Sequence, residues 1–321
     1  MTQDTTVSAA SHARMRAISQ ESAGGVEVLT LIEVDRPVPG PTEVRVCVYA
    51  AGVNPTDWKR RARADYPSIP GFDVSGVVDA VGPGVTVFAP GDEVFGMPRF
   101  PHPADAYAEY VTASARHFAA KPAEIDHVHA AALPLAALTA WQALVDTADV
   151  QPGQRVLIHA AAGGVGHLAV QIAKARGAYV IGTARRAKHQ FLFGLGVDEA
   201  IDYTQIDFTE TAADIDVVLD TIGGDYTPRS LRTLRRGGVL VSLLPMQQDF
   251  PVQLAEELGV HAKRMLVEPD QAGMRAIAAL VEEGHLHAEI DSVFPLADAA
   301  KAHQRGETNR ASGKIVLSLI A

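Results

Sequence analysis

The chain has 321 residues, 47% of them hydrophobic and 21% charged, with a formal net charge of −10. That length exceeds one small core and points to two domains. The acidic balance disfavours nucleic acid or an anionic membrane surface as a partner, so any bound anion needs a local basic cluster.

Residues 1–14 have no apolar core, which excludes a secretory signal, and read as a disordered leader. From there to about residue 130 the texture is β-rich. Val26–Val34, Glu43–Ala50, Ser75–Val81 and Glu93–Phe95 read as strands punctuated by Gly and Pro, as in a small barrel or sandwich. Cys47 lies in one of these alternating runs and reads as a buried strand residue. As the single cysteine it excludes an internal disulfide and a multi-cysteine zinc site, and it fits a reducing, cytoplasmic setting. The longest apolar stretch, Ala130–Val145, contains Pro134, Thr139, Trp141 and Gln142. It falls short of the ~20 apolar residues that a membrane span needs and reads as a buried helix joining two domains.

Beyond it, strand and helix patterns alternate. Val156–Ile158, Tyr179–Gly182, Glu199–Asp202, Asp216–Asp220 and Gly238–Leu244 read as strands. Leu168–Ala175, His189–Leu195, Pro228–Leu234 and Met274–Glu283 read as helices. Such alternation implies a parallel sheet with right-handed crossovers. Lys314–Leu319 returns to strand texture and is expected to rejoin the first domain.

The segment Arg155–Gly177, RVLIHAAAGGVGHLAVQIAKARG, carries the most chemistry. A short strand runs into a glycine-rich turn that opens a helix. Glycines let a backbone approach a pyrophosphate, and the helix N-terminus offers free N–H groups to its charge. The usual three glycine positions are Ala161, Gly163 and Gly166 here, with Gly164 as a further permissive site and Val165 between them. A bare strand–helix turn is the alternative, and the surrounding alternation argues against it.

NAD sites place an acidic residue at the end of the second strand, about 20 residues past the turn. No Asp or Glu occurs between His167 and Val197. The strand instead runs out at Thr183 and meets Arg185, Arg186 and Lys188, which suits the 2′-phosphate of NADPH. A solvated basic patch is the alternative, but cations at a helix start oppose its dipole. Tyr203 is read either as a contact to the adenine or 2′-phosphate or as an amphipathic edge residue.

Several ordered segments then identify a family. AAGVNPTDWK at Ala50–Lys59, PGFDVSGVV at Pro70–Val78, GDEVFG at Gly91–Gly96 and AYAEYV at Ala106–Val111 come first. LPLAALTAWQAL at Leu133–Leu144, AAAGGVG at Ala160–Gly166 and SGKIVL at Ser312–Leu317 follow. From about Met15 to the end, the chain resembles the zinc-independent medium-chain dehydrogenase/reductases of the quinone oxidoreductase (zeta-crystallin-like) group.

The resemblance implies an α/β protein: a GroES-like β-barrel domain plus a Rossmann doubly wound parallel-sheet domain, with a cleft between them. Residues 15–130 would form the first, rejoined by 290–321, and 131–289 the NADPH-binding second. It implies a homodimer. Zinc members carry Cys and His where this chain has Asn54 and Phe72, and the cysteine-rich zinc lobe after GDEVFG is missing. Both zinc sites are therefore expected to be absent. His127/His129 and His285/His287 read as solvated.

Without a metal to acidify an alcohol, the expected chemistry is NADPH-dependent hydride transfer to a quinone or α,β-unsaturated carbonyl. An enoyl reductase acting on a thioester or biosynthetic intermediate is the alternative, and a non-catalytic NADPH-binding redox sensor is the alternative of another class. By the resemblance, Asn54 lies near the nicotinamide, against the plainer reading of an Asn-Pro turn. Thr139 contacts the cofactor at the domain junction, against a hydroxyl bonded back to its own helix. Tyr66 is the candidate proton donor, with water, Lys59 or no enzyme donor as alternatives. Arg310 and Lys314 add to the phosphate clamp. Arg60, Arg61 and Arg63 read as a solvated loop, with a basic lip for an anionic substrate as the other possibility.

Overall fold

The computed structural model describes residues 13–63, 68–244 and 249–320. The expected leader, residues 1–14, lies outside them except for its last two residues, and Arg14 already opens the first strand.

The organising strand of the first sheet is Glu43–Val53. Its even positions Val44, Val46 and Val48 are buried while their neighbours are half-buried, the period of two that a one-sided strand requires. Asp73–Val81 pairs with it antiparallel, followed outward by Glu93–Gly96 and Phe118–Ala120. On its other side Lys314–Ser318 pairs antiparallel with residues 50–53, and Ile290–Pro295 runs parallel to that strand. Tyr110–Ser114 completes seven strands by pairing with residues 43–47. A separate hairpin of Arg14–Gln20 and Leu29–Asp35 is bridged to this body at Ala17–Ala108 and Gln20–Ser68.

The second sheet has six strands, all parallel. Their order is Glu199–Ile201, Tyr179–Thr183, Arg155–Ile158, Ile215–Asp220, Leu234–Ser242, His261–Arg264. Numbered along the chain, that is 3-2-1-4-5-6, the doubly wound order of dinucleotide-binding sheets. The order reverses between Arg155–Ile158 and Ile215–Asp220, and ligands of such sheets bind at the carboxyl ends of the strands there. The glycine turn follows Ile158 directly.

The helix Pro134–Trp141 joins the two bodies. Proline at its first position fits the missing N–H, and residues 134–140 are all buried. One core cluster runs through it, from Phe72, Phe95 and Met97 of the first body to Leu168, Ile172 and Ile277 of the second.

Several elements were not legible in the sequence. Val26–Val28 is a 3-10 turn, and that strand begins only at Leu29. The edge strand His261–Arg264 is polar because it is mostly exposed. The helix Ala299–Glu307 buries only Ala299, Ala302, His303 and Gly306, so its core face carries no large apolar residue. Cys47 is half-buried rather than buried, since it stands on the outer face of Glu43–Val53.

Candidate active site

The glycine turn has the shape of a phosphate cradle. A Cβ on Gly166 would lie 2.3 Å from the Ala160 carbonyl oxygen and 2.7 Å from Ala161 Cα, so only glycine lets the helix Gly166–Ala175 pack this closely. At Gly163 a Cβ would meet only the Ala160 oxygen, at 3.1 Å, and at Gly164 it would meet Lys314 Cδ at 3.4 Å. No side chain among the described residues caps the helix start at Val165, which leaves the N-terminus open to a ligand. These features fit a dinucleotide pyrophosphate.

Thr183 is fully buried under the turn. Its Oγ1 accepts from the Ala160 N–H at 3.2 Å and its carbonyl from the Ala161 N–H at 3.0 Å. It therefore shapes the cradle from beneath. His167 does the same: Nδ1–H donates to the Gly163 carbonyl at 2.9 Å, and Nε2 accepts from the Glu289 N–H at 3.2 Å. Burial lowers its pKa to about 4, so it is neutral near pH 7.

The cations lie just past the carboxyl end of the second parallel strand. Arg185 and Arg186 are exposed just beyond Thr183 and have no carboxylate partner among the described residues. Arg185 Nε donates to the Tyr203 hydroxyl at 3.1 Å. Tyr203 lines a hollow with Ile206, Phe208, Tyr226 and Arg229. Lys188 Nζ donates to the carbonyls of Arg310 and Ala311, at 3.2 and 2.8 Å, so it ties the exposed Arg310 to the same corner.

Lys314 is placed differently from the expected phosphate clamp. Its stem lies along Gly164, but its ammonium turns into the first body, 3% exposed. There it donates to the Val53 carbonyl at 3.2 Å and to Asn54 Oδ1, and it pairs with Asp73 Oδ2 at 3.7 Å. A buried ammonium needs a carboxylate, and Asp73 supplies the one in reach. Burial lowers the Lys314 pKa and raises that of Asp73, each opposed by its partner's charge.

Asn54 is held from both ends. Nδ2 donates to Asp73 Oδ2 at 2.7 Å while Oδ1 accepts from Lys314. Lysine only donates and an ionised carboxylate only accepts, so these partners fix the amide orientation. The side chain is 1% exposed. Its backbone N–H donates to Asp57 Oδ2 at 2.7 Å, the reciprocal half of a capping box on the helix Pro55–Arg61. Asp73 Oδ1 also accepts the Leu135 N–H at 2.7 Å and so anchors the joining helix. Thr139, four residues on, donates to the Leu135 carbonyl at 2.6 Å. Tyr66 lies outside the described residues.

The sequence missed a buried polar chain behind Asn54. Tyr107 OH donates to Asp57 Oδ2 at 2.9 Å and meets His303 Nε2 at 3.2 Å; Arg61 donates to His303 Nδ1 at 2.9 Å and pairs with Glu307. Arginine has no acceptor, so Nδ1 accepts and Nε2 carries the proton. Asp57 Oδ1 has no hydrogen-bond partner among the described residues, and burial pushes the Asp57 pKa up to about 7. The spacing Asn54-x-x-Asp57 is a capping-box signal that would have flagged Asp57; nothing local points to Tyr107 or His303. Arg61 is buried, contrary to a solvated loop, because His303 and Glu307 satisfy its guanidinium. His127 is likewise half-buried, between Tyr49 and Ser75, rather than solvated.

The comparisons agree with this geometry. Residues 40–123 match the alcohol dehydrogenase GroES-like domain and residues 195–317 the zinc-binding dehydrogenase family. The chain is 34% identical to a 2-haloacrylate reductase from a Burkholderia species over 323 residues, covering 92% of this chain and 96% of the relative. The quinone oxidoreductase from Coxiella burnetii superposes with a TM-score of 0.90 at 36% identity, covering 96% of this chain and all of that one. The Escherichia coli quinone oxidoreductase complexed with NADPH gives 0.85 at 29% identity, covering 96% and 100%. The protein is thus a medium-chain dehydrogenase/reductase, with a GroES-like domain and a Rossmann domain. Within that superfamily it belongs to the quinone oxidoreductase-type family of reductases.

Proposed function

We propose that the protein is an NADPH-dependent reductase that transfers hydride to a quinone or an α,β-unsaturated carbonyl without zinc. The observation that carries the cofactor choice is the run Arg185, Arg186 and Lys188 at the end of the second parallel strand, with Arg310 beside it and no carboxylate paired to it among the described residues. Charge-assisted bonds from such a cluster favour a 2′-phosphate over a 2′-hydroxyl. Pyrophosphate would rest on Gly163, Gly164, Val165 and Gly166. Zinc chemistry is disfavoured by the donor set: Asn54 and Phe72 are poor zinc ligands, and no group of three or more His, Cys, Asp or Glu gathers among the described residues. The bound cofactor supplies the hydride, and the chain supplies orientation and a dry, hydrogen-bonded cleft.

Tyr66 is the proposed proton donor for acceptors that need one. The same reading carries a homodimer, for which the edge strand His261–Arg264 is an available pairing element, and a cytoplasmic setting. No helix among the described residues is long and apolar enough to cross a membrane.

The test is NADPH oxidation at 340 nm against quinones, enones and enoyl thioesters, with NADH in parallel. Arg185→Ala with Arg186→Ala is expected to raise the NADPH KM at least tenfold, about the value of one charge-assisted bond, and to leave NADH little changed. Lys188 is left intact because it also holds the Arg310–Ala311 backbone. Equal losses for both cofactors would defeat the 2′-phosphate assignment. Turnover confined to thioesters would move the reading to an enoyl reductase.

A further inference from the structure

Lys188 differs from the cations it stands among. Arg185, Arg186 and Arg310 are exposed, and none has a carboxylate partner among the described residues. Lys188 is half-buried and its ammonium is already engaged. It donates to the Ala311 carbonyl at 2.8 Å and to the Arg310 carbonyl at 3.2 Å. Two of its three N–H groups are thereby used on backbone.

The backbone it holds is a strap. Residues 310–314 lead from the helix Ala299–Glu307 into the last strand and cross the glycine turn on the way. Gly313 N–H donates to the Ala162 carbonyl at 3.1 Å, and Lys314 Cδ lies against Gly164. Gly313 is at φ 75°, and a Cβ there would lie 2.2 Å from the Glu289 carbonyl oxygen, so only glycine passes at this point. From the first body, Asp291 Oδ1 accepts the Ser312 N–H at 3.0 Å, and Arg305 fixes that carboxylate with bonds of 2.8 and 2.6 Å.

The strap is therefore pinned to the glycine turn at one end by backbone. At its other end, the hydrogen bonds it receives from the second body come from Lys188 alone among the described residues. Lys188 N–H donates in turn to the Arg185 carbonyl at 2.8 Å, which sets the backbone of Arg310 one side chain away from the cationic corner. An ammonium that swung onto a phosphate would release both carbonyls. The unpaired guanidinium of Arg310 carries no such obligation, and its planar fork suits phosphate oxygens.

We propose that Lys188 is a positioning residue for cofactor choice: it latches the strap so that Arg310 meets the 2′-phosphate, and it is not itself a phosphate ligand. The proposal rests on the NADPH reading above and divides the labour within that corner. Arg185, Arg186 and Arg310 supply the charge-assisted bonds, and Lys188 fixes where the last of them stands.

The experiment is a double-mutant cycle read in cofactor affinity. Dissociation constants for NADPH and NADH are measured from the fluorescence of the bound reduced nicotinamide in wild type, Lys188→Met, Arg310→Met and the double variant. Methionine keeps the apolar stem of each side chain and removes its donors. Arg310→Met is expected to cut the preference for NADPH over NADH tenfold or more, the value of one charge-assisted bond. Lys188→Met should also cut it, and by a smaller factor in the Arg310→Met background than in wild type, because the two act as one unit. The same factor for Lys188→Met in both backgrounds would mean that Lys188 binds the phosphate directly and would overturn the proposal. So would an unchanged preference in Arg310→Met, or equal losses for NADPH and NADH in a Lys188→Met variant that melts like wild type. Wild type that binds NADH as tightly as NADPH would overturn the 2′-phosphate reading itself, whereas NADPH-selective wild type with independent factors would overturn only the latch.

Discussion

At the residue scale, the buried titratable groups set the pH behaviour. Burial lowers His159 and His167 to about 4 and His303 to about 3, so each is neutral in the fold. Unfolded, each binds a proton below about 6.5. Stability from these three is complete above that value and is lost as pH falls toward 4, by on the order of 3 kcal/mol each. Asp57 acts in the opposite sense. Its pKa rises to about 7, so its contribution is present below about 4 and is lost as pH rises through that window. Three histidines held this far below their ordinary value outweigh Asp57 and the likewise raised Asp73, which predicts net destabilisation on acidification from pH 7 to 5, measurable by urea midpoints. Asp57→Asn removes the opposing group and should steepen that loss; a shallower pH dependence would refute the assignment. None of these shifts was legible in sequence, because partners such as Asp57 and His303 are brought together only by the fold.

At the element scale, the glycine turn departs from its own fingerprint. The first glycine position of the motif is Ala161, which is buried, and the left-handed residue is Ala160, at φ 47°. A Cβ in that conformation costs about 1–2 kcal/mol, which glycine avoids. The turn tolerates it because Thr183 Oγ1 holds the Ala160 N–H and Ala160 is exposed. Ala160→Gly is therefore expected to raise stability by a few tenths to about 1 kcal/mol, part of the gain being offset by the freer unfolded chain. A fall in melting temperature would show that the strain is absent. The turn itself was readable from sequence because strand, glycines and helix are contiguous. The strained position was not, since it depends on how Thr183 of the neighbouring strand meets the turn.

At the scale of the whole molecule, the two bodies share a core, and a buried charge cluster of the first body anchors the helix that joins them. Pro134–Trp141 is buried between them, Asp73 of one holds its first turn, and Lys314 threads from Gly164 to Asn54. Parting the bodies would expose their shared apolar core and strip Asp73 of the Leu135 N–H, both of which are unfavourable. Unfolding is expected to be a single cooperative transition. The two tryptophans report on it separately: Trp58 packs beside Gly306 in the first body, and Trp141 ends the joining helix. Single-tryptophan variants, Trp58→Phe and Trp141→Phe, should give coincident urea midpoints. Separated midpoints would mean that the bodies unfold independently.

The sequence by itself determined what is local and periodic: the alternation behind the parallel sheet, the glycine turn, the acid-free second strand with its cations, and the return of the last strand. Those signals survive in one dimension because the residues that make them are neighbours on one element. Only the tertiary structure decided which polar groups are satisfied. Lys314 reads as a cation for a phosphate and is instead neutralised by Asp73; Arg61 reads as solvated and is instead buried on His303 and Glu307. A charged side chain takes its meaning from the partner that pays its desolvation, and these partners lie far away along the chain.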